Sequence, residues 1–141
     1  MWTEIKDETD IDRFLVSYGY FHDCCLRDIY ISMREYVDQK LAMGFDNKLT
    51  ASLLFQRQYG PDTVVELKFE DVGRFNFLPF DETESAVIYD ATLKMENGLF
   101  YWADFAEWEN GDNDSIWISG KKLFWRFRPE LIGNIKRLDD K

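Results

Sequence analysis

Residues 85–105 read SAVIYDATLKMENGLFYWADF, and the Asn97-Gly98 pair in the middle decides the fold class. Val87, Tyr89, Ala91, Leu93 and Met95 alternate with Ile88, Asp90, Thr92 and Lys94, which is the period of a strand with two unlike faces. Asn-Gly accepts positive φ at both central positions of a two-residue turn, so it joins antiparallel neighbours. Strands over 86–96 and 99–105 follow. The same habit extends in both directions. Upstream, KLTASLLFQRQ (48–58) and TVVELKFED (63–71) flank a Gly-Pro break and read as a hairpin, and GRFNF (73–77) restarts in phase, with Gly73 as a bulge or tight bend. Downstream, SIWIS (115–119), a turn at GKK (120–122) and LFWRFR (123–128) read as a third hairpin. Pro129 ends it, and ELIGNIKRLDDK (130–141) is a short helix or loose tail.

Helical spacing occurs near the start. In TDIDRFLVSYGY (9–20), Ile11, Phe14, Leu15 and Tyr18 share one face, with Thr9 or Asp10 as cap and Gly19 as stop. After it, CLRDIYISM (25–33) has the β-branched and aromatic content of a strand, although its two faces are not cleanly divided. The expected class is α+β and β-rich: a short N-terminal helix followed by seven or eight mostly antiparallel strands. One helix cannot cover both faces of such a sheet, so it must curl into a barrel-like form or fold into a sandwich. No motif recurs at fixed spacing, which argues against a solenoid. With 141 residues, 45% of them apolar and 17% aromatic, the chain fits one domain over 1–141 and has ample material for a core.

Net charge is −10, from 27 acidic and 17 basic residues. That field repels phosphate backbones and anionic headgroups, so nucleic-acid and membrane partners are disfavoured; it either serves solubility alone, as in many acidic cytoplasmic proteins, or suits a cationic protein partner. No window holds eighteen apolar residues, and MWTEIKDETD is acidic where a secretion signal is basic and then apolar. A cytoplasmic protein is expected.

Two stretches crowd chemistry-bearing residues. YGYFHDCCLRD (18–28) holds the only histidine and both cysteines. His22 and Cys24 share a face of an extended chain, but no further His or Cys completes a zinc set, and no CxxC is present. A Cys-His nucleophile pair has poor geometry at this spacing. No metal or cofactor is expected, and the cysteines are expected to be free thiols. Phe21, His22 and Asp23 are read as a structural junction: Phe21 packs inward, Asp23 accepts backbone N–H groups and His22 bonds a neighbour.

The second stretch is ADFAEWENGDNDS (103–115), with Asp104, Glu107, Glu109, Asp112 and Asp114 around Trp108 and no basic residue. A calcium loop is not matched, because Gly111 precedes the acids. A pair of glycosidase carboxylates needs a set separation and a raised pKa, neither of which is written in sequence. The stretch is either a solvated hairpin connection or a protein-binding loop, in which an exposed Trp108 anchors and the acids select a basic partner. There is no P-loop, GxGxxG, GxSxG or HExxH, so no catalytic residue is assigned and a non-enzymatic protein is expected.

Phe21-His22-Asp23 followed by a strand, and Phe69, Val72 and Phe75 in a Phe-x-x-Val-x-x-Phe pattern, resemble small bacterial proteins whose families include immunity proteins of polymorphic toxin systems. The likeness covers roughly the first 80 residues, and it implies a protein that neutralises a toxin domain. Two other functions stay open: a barrel-like binder of a small apolar ligand in an aromatic pocket, and an oligomeric interaction protein.

Overall fold

The computed structural model describes residues 1–46, 48–79 and 85–138. Strand β1 (Thr3–Ile5) leads into helix α1 (Glu8–Ser17). The helix is capped by Asp7, whose side chain accepts from the Asp10 backbone N–H, and not by Thr9 or Asp10 as the sequence suggested. Asp10 sits in the first turn instead, where it accepts from the Lys6 backbone N–H at 2.9 Å. Ile11, Phe14, Leu15 and Tyr18 form the buried stripe as expected.

The chain continues as β2 (Cys24–Ser32), β3 (Tyr36–Val37), β4 (Met43–Gly44), β5 (Thr50–Arg57) and β6 (Val64–Asn76). After these come β7 (Val87–Ile88), β8 (Thr92–Glu96), β9 (Leu99–Ala103) and β10 (Trp117–Phe127). The main sheet runs β7-β2-β5-β6-β10-β9-β8, with β1 also on β10, and its described pairs are antiparallel. β3 and β4 form a separate two-stranded arm. The class is α+β and β-rich, and the sheet is strongly curled into a half-barrel.

The curl follows from one connection. β7 and β8 lie at opposite ends of the sheet order, yet only residues 89–91 separate them in the chain. Four steps of extended chain reach about 13 Å. The two edges of the sheet must therefore approach that closely, which decides for a barrel-like curl over a sandwich. The same fact corrects the expected strand over 86–96: its alternation is real, but it serves two edges.

Other sequence-based expectations resolve in physical terms. Asn97 and Gly98 both have positive φ (53° and 77°) and close the β8–β9 hairpin, although the strands are shorter than 86–96 and 99–105. The β5–β6 hairpin forms around Gly60-Pro61. Gly73 is the extra residue of a bulge, since Ser119 faces Arg74 while Gly120 faces Val72. The third hairpin does not exist: residues 117–127 are one strand. Gly120 is there for close approach, because a Cβ would lie 3.0 Å from the Glu70 carbonyl oxygen and 3.1 Å from the Phe69 ring. The mixed faces of β2 come from a second bulge, between Leu26 and Asp28, which shifts the phase at Arg27.

The inner face of the curl takes α1. Phe21 packs among Phe14, Tyr18, Phe55 and Trp102, with ring centroids 4.8–6.1 Å apart. Leu53, Leu67, Phe69, Ile118 and Leu123 complete a continuous core. On the outer face Leu131, in a single 3-10 turn (Pro129–Leu131), covers Leu54 and Val64. Of the expected helix or tail over 130–141, residues 132–138 form no helix, and 139–141 lie outside the described residues. The start of this segment is tied to β5 by Gln56, whose side-chain amide donates to the carbonyls of Leu131 and Gly133 at 2.9 and 2.8 Å. Among the described residues no helix is long and apolar enough to cross a membrane.

Candidate functional site

The loop between β9 and β10 carries all five predicted carboxylates, and the structure corrects the role of its tryptophan. Trp108 is 1% exposed, so it is not a surface anchor for a partner. It belongs to a small outer-face core with Tyr101, Ala103 and Trp117, its ring 4.9 Å from that of Trp117 and 5.7 Å from that of Tyr101. The alternation of β9 explains why: Phe100 and Trp102 face inward, which leaves Tyr101 and Ala103 outward and in need of cover.

Hydrogen bonds fix the loop at every few residues. The Asp104 backbone N–H donates to the Ile116 carbonyl and closes the neck at 3.1 Å. The Thr92 hydroxyl donates to the Phe105 carbonyl at 2.8 Å and accepts from the Trp108 backbone N–H at 3.1 Å. The Trp117 indole donates to Asn113 Oδ1, and the Asn76 amide donates to the carbonyls of Asn113 and Ser115. Asp112 turns its carboxylate onto the backbone N–H of Asp114 at 3.0 Å. Glu107, Glu109 and Asp114 are exposed, and Asp104 and Asp112 are half-buried. Burial raises the Asp104 pKa against the opposing effect of backbone hydrogen bonds.

The sequence shows no basic residue in this stretch, but the fold brings two beneath it. Lys94 Nζ lies 5.2 Å from the Trp108 ring centre and donates to the Trp108 carbonyl, and Arg74 lies 5.4 Å from that of Trp117. Both cations face rings, and Lys94 pairs with Glu96. Among the described residues, no ion pair within 4.0 Å involves any of the five loop carboxylates. Nor do three or more His, Cys, Asp or Glu side chains converge to hold a metal.

Phe21, His22 and Asp23 lie at the seam where the sheet edges meet. Gly19, Tyr20 and Phe21 have φ of 66°, 57° and 61°, a left-handed turn closed by His22 N–H on the Gly19 carbonyl at 2.9 Å. Such a turn is costly for residues with a Cβ, and it drives Phe21 into the core. His22 Nδ1 bonds the Tyr89 carbonyl at 2.7 Å and so pins the segment that crosses between the edges. Asp23 departs from expectation: its carboxylate faces His22 Nε2 at 3.4 Å rather than gathering backbone N–H groups, and its own φ is 52°. Cys24 is buried and Cys25 partly so, and both are free thiols.

The strongest electrostatic cluster is one that sequence reasoning missed. Glu66 stands mid-sheet on the outer face with its side chain 5% exposed. Arg126 Nε at 2.9 Å and Arg128 Nη1 at 2.7 Å share its Oε1, while Oε2 accepts from Arg137 Nη1 at 2.7 Å and from the Ser52 hydroxyl. Burial opposes the charge, but these donors outweigh it and hold the carboxyl below its ordinary range. The only sequence signal was a polar residue at the centre of an alternating strand. Compared with protein-family models, curated proteins and solved structures, the chain matches none.

Proposed function

We propose that this is a non-enzymatic acidic binding protein whose loop 103–115 receives a basic protein partner, in the manner of an immunity protein that neutralises a toxin domain. One observation carries the reading: a loop held by hydrogen bonds presents Glu107, Glu109 and Asp114 to solvent without an ion pair among the described residues. Holding like charges together costs folding stability, and a cationic partner offsets that cost on binding. Trp108 contributes by locking the loop from below. The centre of the aromatic inner face is filled by α1 and Phe21, and the cleft of about 310 Å³ that remains beside α1 mixes Phe14, Trp125 and Phe127 with Asp10, Arg13 and Asp62, which argues against a purely apolar ligand there.

The test is association with the product of the neighbouring open reading frame, followed across a salt series. Glu107→Gln, Glu109→Gln and Asp114→Asn together should slow association and flatten its salt dependence, since steering is screened beyond about 10 Å at 0.1 M salt. Unchanged association by the triple variant would place the interface elsewhere.

A second reading, self-association, is favoured by the β3–β4 arm, where Leu41 is 85% and Phe45 86% exposed beside Tyr36 and Met43. Sedimentation of Leu41→Ser/Phe45→Ser against the unaltered chain tests it, and a monomer in both cases rejects it.

A further inference from the structure

Arg137 is tied to the outer face of the sheet by contacts that use every N–H of its guanidinium. Nε donates to Asp28 Oδ2 at 3.1 Å, and Nη2 donates to Asp28 Oδ1 and to the Ser52 carbonyl. Nη1 donates to the Ser52 hydroxyl at 2.6 Å and to Glu66 Oε2 at 2.7 Å. A guanidinium has five donors in a planar fork. The slot supplies five acceptors from β2, β5 and β6, all placed by the sheet and none by the segment that carries Arg137.

The sheet itself places the acceptors of the slot. Leu54 pairs with both Asp28 and Glu66 across the strands, so the two carboxylates flank one position of β5, and Ser52 precedes it by one pleat. Arg126 and Arg128 already claim Glu66 Oε1, which leaves Oε2 and the whole Asp28 carboxylate turned toward Arg137. Among the described residues Arg137 is the only cation paired with Asp28. Its removal would leave the Asp28 carboxylate without its cation and Glu66 Oε2 with the Ser52 hydroxyl alone, in a half-dry site.

The segment that supplies Arg137 is held by few contacts. Beyond Leu131 it has no helix or strand among the described residues, and Ile132, Ile135 and Leu138 are exposed. Besides Arg137, Gln56 holds the Gly133 carbonyl, and Arg27 holds the Asn134 carbonyl at 3.0 Å. Local opening of such a segment is cheap compared with global unfolding. Open clefts of about 260 and 280 Å³, both lined by Tyr30 and Leu138, flank Arg137 and give an incoming side chain a route.

We propose that Asp28, Ser52 and Glu66 form an arginine-binding slot which the chain's own Arg137 fills as an internal latch, and which accepts an arginine side chain in trans once the latch opens. That the trans arginine belongs to a basic protein rests on the function proposed above; the slot itself does not. It lies about ten residues along β6 from the end that meets loop 103–115, roughly 30 Å away at strand rise.

The test uses the full chain with Arg137→Ala and the probe Nα-acetyl-arginine amide, with Nα-acetyl-lysine amide as control. The arginine amide should bind the variant saturably, raise its melting temperature and shift the amide resonances of Ser52 and Tyr30. It should bind at least about tenfold tighter than the lysine amide, because an ammonium cannot match the fork. Adding Asp28→Asn should abolish the preference, and the unaltered chain should bind the probe more weakly than the variant. Should Arg137→Ala not fold, Arg137→Lys keeps the charge without the fork and takes the same titration. Absence of saturable binding, or equal binding of the two amides, overturns the proposal. No partner protein enters the assay, so its failure is separate from failure of the loop reading.

Discussion

The indole Nε1–H of Trp108 donates to the backbone carbonyl of Asp112 at 2.9 Å, so the only tryptophan of the acidic loop is spent on holding the loop together. Its ring closes a small outer-face core over Tyr101 and Trp117, and its backbone is tied to Thr92. The acids are presented by this anchorage.

Replacing Trp108 should therefore act through the shape of the loop. Trp108→Ala is expected to cost about 3–5 kcal/mol, the range for emptying an aromatic core site. Trp108→Phe keeps part of the packing and loses one buried hydrogen bond, a cost of about 1–3 kcal/mol. Urea denaturation measures both, and limited proteolysis should open first within 104–115 in the alanine variant. A loop that stays protease-resistant without the indole would contradict this anchoring role.

The two cysteines should separate by reactivity. Burial is the largest cause that pushes the Cys24 thiol up to about 12, with the neighbouring Cys25 adding to it. At pH 8 it stays protonated and shielded, whereas Cys25 is only half-buried. Titration with a disulfide reagent should release one equivalent rapidly from native protein and the second only on unfolding. Two equal fast phases would show that Cys24 is accessible.

Asp23 tests whether the seam depends on a side-chain contact or on backbone shape. With φ at 52°, Asp23 occupies a region that Asp, Asn and Gly tolerate and alanine disfavours. Asp23→Ala is expected to lower stability by about 1 kcal/mol, the scale of a residue forced into that region. Asp23→Asn should be close to neutral, although it removes the charge facing His22. If Asn is as harmful as Ala in thermal melts, the His22 contact is what matters.

How much of this was legible in the sequence depends on whether a feature is local. Asn97-Gly98 and the alternation in 63–71 each specify their own geometry, and both hairpins formed. Gly120 misled, because a glycine that lets strands approach looks the same in sequence as one that makes a turn. The bulge at Arg27 erased the two-face pattern of β2 for the same kind of reason: one extra residue reverses every later side chain. The acidic residues of 103–115 were visible as a group, but the burial of Trp108 was not. That depends on Tyr101 and Trp117 facing outward from strands whose inner faces are already full. The Glu66 cluster was invisible because its members come from β2, β5, β6, β10 and the C-terminal segment, and only the sheet order brings them together.

Glu66 makes the last prediction, and its sign can be worked out. Burial alone would raise its pKa, but hydrogen bonds from Ser52, Arg126 and Arg128 lower it below the ordinary carboxylate value. A carboxyl with a lower pKa in the folded than in the unfolded state releases its proton more readily when folded. Its contribution to stability is then fully present above about pH 4.3, the unfolded value, and is lost as pH falls through the folded value. Glu66→Gln removes the charge that three arginines share, and at pH 7 it should cost about 3–5 kcal/mol, as breaking a buried ion pair does. As pH falls through that lowered folded value, the unaltered protein protonates Glu66 and comes to resemble the variant. The two denaturation curves should accordingly converge as pH drops from 5 toward 2. A gap that stays constant over that range would mean that the network stabilises the fold by shape and packing, with no contribution from the Glu66 charge.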